Sequence, residues 1–221
     1  MNPVRKRRRI VLSLLAAGLA VAGLLPALTS GLAGAAVRPA ATSGRSTVFC
    51  WEACRSGGQT VMDSLRASGF STVILWTIHV HTNGDLYYND TLVAANGSYV
   101  GDPGWAGRLR TLKQAPTSVN RIELSVGSAG VDDWGPIADL MAAQGTGTGS
   151  VLYRNFAALL TVTGADAIND DDEANYDVDS TTTFGRMVLG MGYRYFTLAP
   201  YLDQPFWAGV NTKLGAPVDP A

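Results

Sequence analysis

Cysteine and histidine are scarce, with two of each in 221 residues. Cys50 and Cys54 have no second Cys or His pair at ligand spacing nearby, so a zinc module is excluded and no metal site is read. No G-x-G-x-x-G opens a helix after the first strand, and the chain has no P-loop and no G-x-S-x-G elbow. Dinucleotide, nucleotide and serine-hydrolase chemistry therefore lack their usual carriers, and no cofactor is expected. Charged residues are also sparse, at 16% of the chain. Five of the 17 basic residues, Arg5, Lys6, Arg7, Arg8 and Arg9, stand in one run at the start. No basic block follows it, which makes the chain a poor nucleic-acid binder.

The basic run is followed by nineteen uncharged residues, IVLSLLAAGLAVAGLLPAL, and then by Ala33-Gly34-Ala35-Ala36. A basic segment, an apolar segment and an Ala-x-Ala site together form a secretory signal peptide over residues 1–36. Its removal leaves twelve basic against eighteen acidic residues, a net charge of −6. An uncleaved membrane anchor is the alternative, since the apolar run approaches the ~20 residues of a span. Pro26, Ser30 and the Ala-x-Ala site favour cleavage. The route of export, Sec or twin-arginine, stays open. In an oxidising compartment Cys50 and Cys54 are candidates for a small local disulfide.

Residues 37–46 are small and polar and read as a flexible lead-in to one domain over residues 47–221. Strands are expected at 47–51, 71–80, 121–127, 165–171 and 193–199. The second of these, STVILWTIHV, is continuous and β-branched, as in a sheet buried on both faces. Helices are expected at 58–68, after Asp102-Pro103, after Asp132 or Asp133, at about 151–162 and 181–189, and at 206–214. A β-hairpin is expected within 86–93, after the second strand. Alternation of strand and helix predicts an α/β fold with a parallel sheet. Pattern alone does not separate a doubly wound sheet from a barrel.

The most informative stretch is Asp166-Ala167-Ile168-Asn169-Asp170-Asp171-Asp172-Glu173. Alternation along a strand puts Asn169, Asp171 and Glu173 on one face, with Asp170 and Asp172 on the other or in the loop. The C-terminal ends of parallel strands are where α/β sheets carry their sites. Neighbouring carboxylates resist ionising together, so one retains its proton and can donate it to a glycosidic oxygen. Glu173 has the longest reach. A solvated acidic loop is the plain alternative. An EF-hand loop is excluded because no glycine sits at the required place.

This segment resembles the D-G-x-D-x-D-x-E signature of glycoside hydrolase family 18, the chitinase-like family. Asp166, Asp171 and Glu173 fall on its first acid, third acid and catalytic glutamate, while Ala167 replaces the Gly and Asn169 the second Asp. Ser125-Val126-Gly127-Ser128 is similar to the family's S-x-G-G on the third strand. Leu198-Ala199-Pro200-Tyr201 resembles the end of its fifth strand. The resemblance covers roughly residues 48–201.

The resemblance implies a (β/α)8 TIM barrel, here incomplete at about five βα units, with the hairpin inserted after strand 2. It implies action on β-linked N-acetylglucosamine polymers or glycans by substrate-assisted, retaining hydrolysis. Glu173 is then the general acid and Asp171 holds the acetamido group, with Asp166, Asn169 and Ser125 in support. Asn169 removes one charge from the row, so Glu173 is raised less. The family's sixth strand supplies a Tyr, and no equivalent is read after Tyr201.

Trp76, Tyr201 and Trp134 lie near strand ends and are candidate sugar-stacking residues, with burial in the core as the alternative for each. His79 and His81 are read as hydrogen-bonded strand-end histidines, since a third ligand is missing. The expected partner is carbohydrate, not nucleic acid, and a membrane only if the N-terminal segment is retained. Two further readings stand beside the enzyme: a non-catalytic carbohydrate-binding relative, and a truncated fragment of a longer glycosidase. A complete barrel needs ~250 residues.

Overall fold

The computed structural model describes residues 45–215 and the backbone of 218–220. The expected signal peptide, 1–36, and nearly all of the expected lead-in, 37–46, lie outside the described residues. In chain order the elements are β1 (Thr47–Cys50), α1 (Glu52–Ser56), α2 (Gly58–Ala67), β2 (Thr72–Val80), β3 (Leu86–Tyr88), β4 (Thr91–Ala95), β5 (Ser98–Tyr99) and α3 (Pro103–Thr111). They continue with β6 (Arg121–Val126), α4 (Trp134–Gln144), α5 (Val151–Thr163), β7 (Ala167–Asp170), α6 (Val178–Met191), β8 (Tyr195–Leu198), α7 (Gln204–Leu214) and β9 (Val218–Pro220).

All nine strands join one sheet. Strands β1, β2, β6, β7, β8 and β9 pair in that order, all parallel. β1 occupies β2 from Thr72 to Leu75, and antiparallel β3 takes the same strand from Ile78 to Val80. β4 and β5 extend this ribbon outward. Among the described residues β1 and β9 do not pair, so the sheet is an unclosed barrel of the (β/α) type. The count of five strands is corrected to six parallel ones. The three-residue β9 lies in a segment whose Gly, Pro and Ala content reads as a tail, and pairing with β8 overrides that composition.

Register explains which face is the core. One row runs Cys50–Leu75–Leu124–Ile168–Phe196, and its side chains are buried. Phe196 meets Trp134 of α4 and Phe184 of α6 edge-on, with centroids 6.5 and 6.4 Å apart. This is the helix-covered face. The opposite face carries Ser125–Asn169–Thr197 in register, with Glu123 one row below. These four are buried as well, so their polar atoms require partners inside the fold.

Local chemistry sets the helix ends. Asp102 accepts from the Gly104 and Trp105 amides ahead of α3, with Pro103 at the first position. Of the two aspartates before α4, Asp132 does the capping: its Oδ1 accepts from Gly135 N at 2.7 Å, while Asp133 turns elsewhere. Asp177 accepts from Ser180 N and starts α6 three residues earlier than its apolar spacing indicates. The structure joins Cys50 at the end of β1 to Cys54 in α1, with Cα atoms 5.7 Å apart. The short helix α1 has no apolar periodicity that would announce it.

Candidate active site at the strand ends

β7 ends at Asp170, yet its pairing persists one step. Asp171 N donates to Val126 O at 2.9 Å, and Ala199 N donates to Asp170 O at 2.8 Å. Asp171 is thereby pinned between β6 and β8. Gly127 makes this possible: its φ is +104°, and a Cβ there would lie 2.7 Å from the Asp171 carbonyl carbon and closer still to the oxygen. Only glycine combines that backbone angle with that approach.

The Asp171 side chain is half-buried, and Trp76 Nε1 donates to its Oδ2 at 2.8 Å. Burial pushes this carboxyl above the usual carboxylate range, and the Trp76 hydrogen bond pulls against the rise. Trp76 reaches it from β2, where pairing with β6 shifts register between Leu75 and Ile78 and the Trp76–Thr77 peptide is cis. Glu173 is also half-buried, and it is raised by burial and by the nearby charge of Asp171. Both carboxyls line one open cleft of about 470 Å³ with Phe49 of β1, Leu198, Pro200 and Tyr201.

Asp172 builds the loop that presents Glu173. It is fully buried, and its carboxylate accepts from Ala174 N and Asn175 N, both at 2.9 Å, and from Tyr176 N at 2.8 Å. Asp170 is fully buried beside it and accepts from Asp172 N at 3.1 Å. Burial holds the Asp170 carboxyl well above its ordinary value, with the nearby Asp172 and Asp171 carboxylates adding to the rise and the Asp172 N–H opposing it. Alternation puts these two aspartates off the cleft face, but it carries no sign of their role as a turn scaffold.

The supporting residues fall in different places. Ser125 Oγ donates to Asn169 Oδ1 at 3.1 Å, and Asn169 Nδ2 donates to Thr197 Oγ1 at 3.0 Å. Thr197 Oγ1 in turn donates to Glu123 Oε2 at 2.5 Å. The Asn169 amide is thus spent on the neighbouring strands, not on Asp171, among the described hydrogen bonds. Burial raises the Glu123 carboxyl, while Thr197 and Arg121 oppose the rise. Asp166 does not support Asp171. It sits at the opposite end of β7, where it pairs with Lys113 Nζ at 2.8 Å and accepts from Ile122 N at 3.0 Å. A strand of this length separates its ends by more than ~10 Å, which explains the correction.

Of the aromatic candidates, Tyr201 lines the cleft and is 60% exposed, while Trp76 reaches it through its hydrogen bond to Asp171. Trp134 is not. It is 1% exposed, packs edge-on against Phe184 at 5.4 Å and donates Nε1 to Val126 O, so it is a core residue. Nothing in the local sequence singles out Trp51, although it is 59% exposed and sits edge-on to Trp76 at 6.1 Å. His79 Nδ1 lies 2.9 Å from Asp133 Oδ2, and Asp133 Oδ1 accepts from Val80 N at 2.7 Å. Among the described residues no three His, Cys, Asp or Glu side chains are grouped to hold a metal ion.

No family model and no curated protein sequence matches the chain. Solved structures match it in fold. A fungal endo-beta-N-acetylglucosaminidase from glycosyl hydrolase family 18 aligns with TM-score 0.52 and 17% identity over 72% of this chain and 55% of its own. A putative chitinase A from Streptomyces coelicolor aligns with TM-score 0.52 and 11% identity over 79% of this chain and 57% of its own. A family 18 chitinase from Cycas revoluta, in complex with (GlcNAc)4, aligns with TM-score 0.50 and 14% identity over 73% and 47%. The chain therefore spans about half the length of the solved structures it matches. The likeness is one of fold, an incomplete barrel of the family 18 type, and it agrees with the resemblance read from the acid motif.

Proposed function

We propose that the chain is a secreted glycosidase-like protein acting on β-linked N-acetylglucosamine polymers or glycans. One observation carries this reading: Asp171 and Glu173 share a cleft at the C-terminal end of β7, and both are raised above the usual carboxylate range. The structures that share its fold include chitinases and an endo-beta-N-acetylglucosaminidase.

The chemistry is substrate-assisted. Glu173 delivers its proton to the glycosidic oxygen as that bond breaks. The acetamido oxygen of the same sugar attacks the anomeric carbon and closes a cationic ring. Asp171 accepts a hydrogen bond from the acetamido N–H and steadies the developing positive charge, while Trp76 fixes Asp171. Water then opens the ring and gives a proton to Glu173, which restores the acid. Two inversions at the anomeric carbon give net retention. Secretion rests on the basic, apolar and Ala-x-Ala segments, and the Cys50–Cys54 disulfide suits an oxidising compartment. No helix among the described residues is long and apolar enough to cross a membrane.

The test is release of chromophore from an N-acetylglucosamine oligomer glycoside. Wild-type protein releases it and Glu173→Gln does not, with oligomer binding retained in the variant. A second reading, a carbohydrate-binding relative without turnover, is favoured by Asn169, whose amide replaces an acid of the motif and is committed to Ser125 and Thr197. Saturable binding by wild-type protein without any release selects that reading.

A further inference from the structure

A second hollow of about 580 Å³ opens between the β2–β3 hairpin and the loop that enters α4. Its walls include His79, His81, Tyr87, Asn89, Asp90 and Asp132. It lies at the same strand ends as the acid pair and is linked to it by contacts. Asp171 takes the Trp76 N–H, Trp76 meets Trp51, and Trp51 Nε1 donates to Asn89 Oδ1 at 2.7 Å. Asn89 is in turn part of the hollow's wall.

Four features describe what fits there. The His81 and Tyr87 rings are stacked, with centroids 4.1 Å apart and planes 17° apart, which gives a rigid flat platform of the kind sugar faces pack on. His79 is oriented by Asp133 through Nδ1, so Nε2 is its remaining ring nitrogen. Asn89 Nδ2 is buried and has no hydrogen-bond partner among the described residues, a donor that needs an acceptor. The exposed carboxylates of Asp90 and Asp132 also line the walls, and no lysine or arginine does. Platform, donors and acceptors together match a pyranose with several hydroxyls. The uncompensated carboxylates favour one that carries an ammonium group and disfavour a uronic acid.

We infer that this hollow is a second saccharide subsite, which binds a hexosamine unit with a free amine. The inference deepens the glycosidase reading and rests on it: the substrate becomes a partly deacetylated N-acetylglucosamine polymer. An acetylated unit sits at Glu173, because the acetamido group takes part there, and a deacetylated unit sits beyond Trp51.

The probes are the fully deacetylated glucosamine tetramer and the N-acetylglucosamine tetramer, titrated by calorimetry at pH 6 and low salt. Wild-type protein binds the deacetylated tetramer more tightly than the acetylated one. Asp90→Asn and Asp132→Asn each weaken that binding, by about fivefold per lost charge pair, and weaken binding of the acetylated tetramer, which carries no ammonium group, by less. Raised salt narrows the difference between the two oligomers. Both side chains are exposed, and Asp132→Asn keeps a side-chain oxygen to accept from Gly135 N, so unchanged melting temperatures confirm intact variants. Equal affinity of the wild type for both oligomers, no binding of the deacetylated one, or indifference to both substitutions overturns the inference. Turnover of the acetylated oligomer is scored separately. Its absence defeats the catalytic reading and leaves the amine-dependent binding result standing.

Discussion

Replacing Gly127 by alanine tests whether the acid loop is built as described. Two costs arise at this position. The backbone has φ of +104°, where L-residues are strained, by about 2 kcal/mol. The new methyl also meets the Asp171 carbonyl and lies 3.1 Å from Trp134 Nε1. Neither neighbour is a flexible side-chain end, so crowding adds about 2 kcal/mol. Loss of glycine's freedom in the unfolded chain returns roughly 0.7 kcal/mol. The net is about 3 kcal/mol, which for a domain of this size lowers Tm by about 6–12 °C. Gly130→Ala is the internal control. Gly130 also has positive φ, +78°, but nothing lies within 4 Å of its absent Cβ. It therefore carries strain without crowding, a net of about 1.3 kcal/mol once the unfolded-chain return is taken off, and its Tm falls by about 3–5 °C. Thermal melts followed by circular dichroism separate the two. If Gly127→Ala melts with Gly130→Ala, the close approach to Asp171 is not what the position requires.

Three other outcomes are expected. Trp76→Phe keeps the ring and removes the N–H that Asp171 accepts. The Asp171 carboxyl then rises further, and kcat/KM at pH 7 falls about tenfold for loss of one charge-assisted hydrogen bond; steady-state kinetics on an N-acetylglucosamine oligomer reads this. Cys50→Ser with Cys54→Ser opens a five-residue loop, costing about 2 kcal/mol by chain entropy and about 4–8 °C of Tm; an equal fall on adding reductant to wild-type protein checks it. His79 is raised above its ordinary 6.5, chiefly by its hydrogen bond to Asp133. Its stabilisation is fully present below pH 6.5 and is lost as pH rises through its folded value. The Tm difference between wild type and His79→Gln therefore shrinks as pH rises from 6 to 8, and a constant difference contradicts the charge pairing.

The sequence made the sheet legible because its strands are apolar runs in phase with parallel pairing. β2 and β6 match their expected spans to within a residue or two. The acid row was legible for the same reason: alternation places Asp171 and Glu173 toward one side, and the cleft contains both. What alternation does not encode is where a strand stops and what a side chain meets beyond it. Asp166 is in the motif but at the far end of β7, held by Lys113. Trp134 follows a strand in sequence and so looked available, but α4 turns it into the core. The Glu123–Thr197–Asn169 chain joins three strands, and no local pattern reports a contact 74 residues apart. The strand β9 is too short and too poor in β-branched residues to be seen without its partner β8.

The central claim is that Glu173 protonates a glycosidic bond while the substrate's own acetamido group attacks. Proton NMR of an N-acetylglucosamine oligomer during the first minutes of reaction tests it most directly. The account predicts that the new reducing end appears first as the β-anomer with wild-type protein, and that no new reducing end appears with Glu173→Gln. First appearance of the α-anomer, or equal release by the variant, contradicts it.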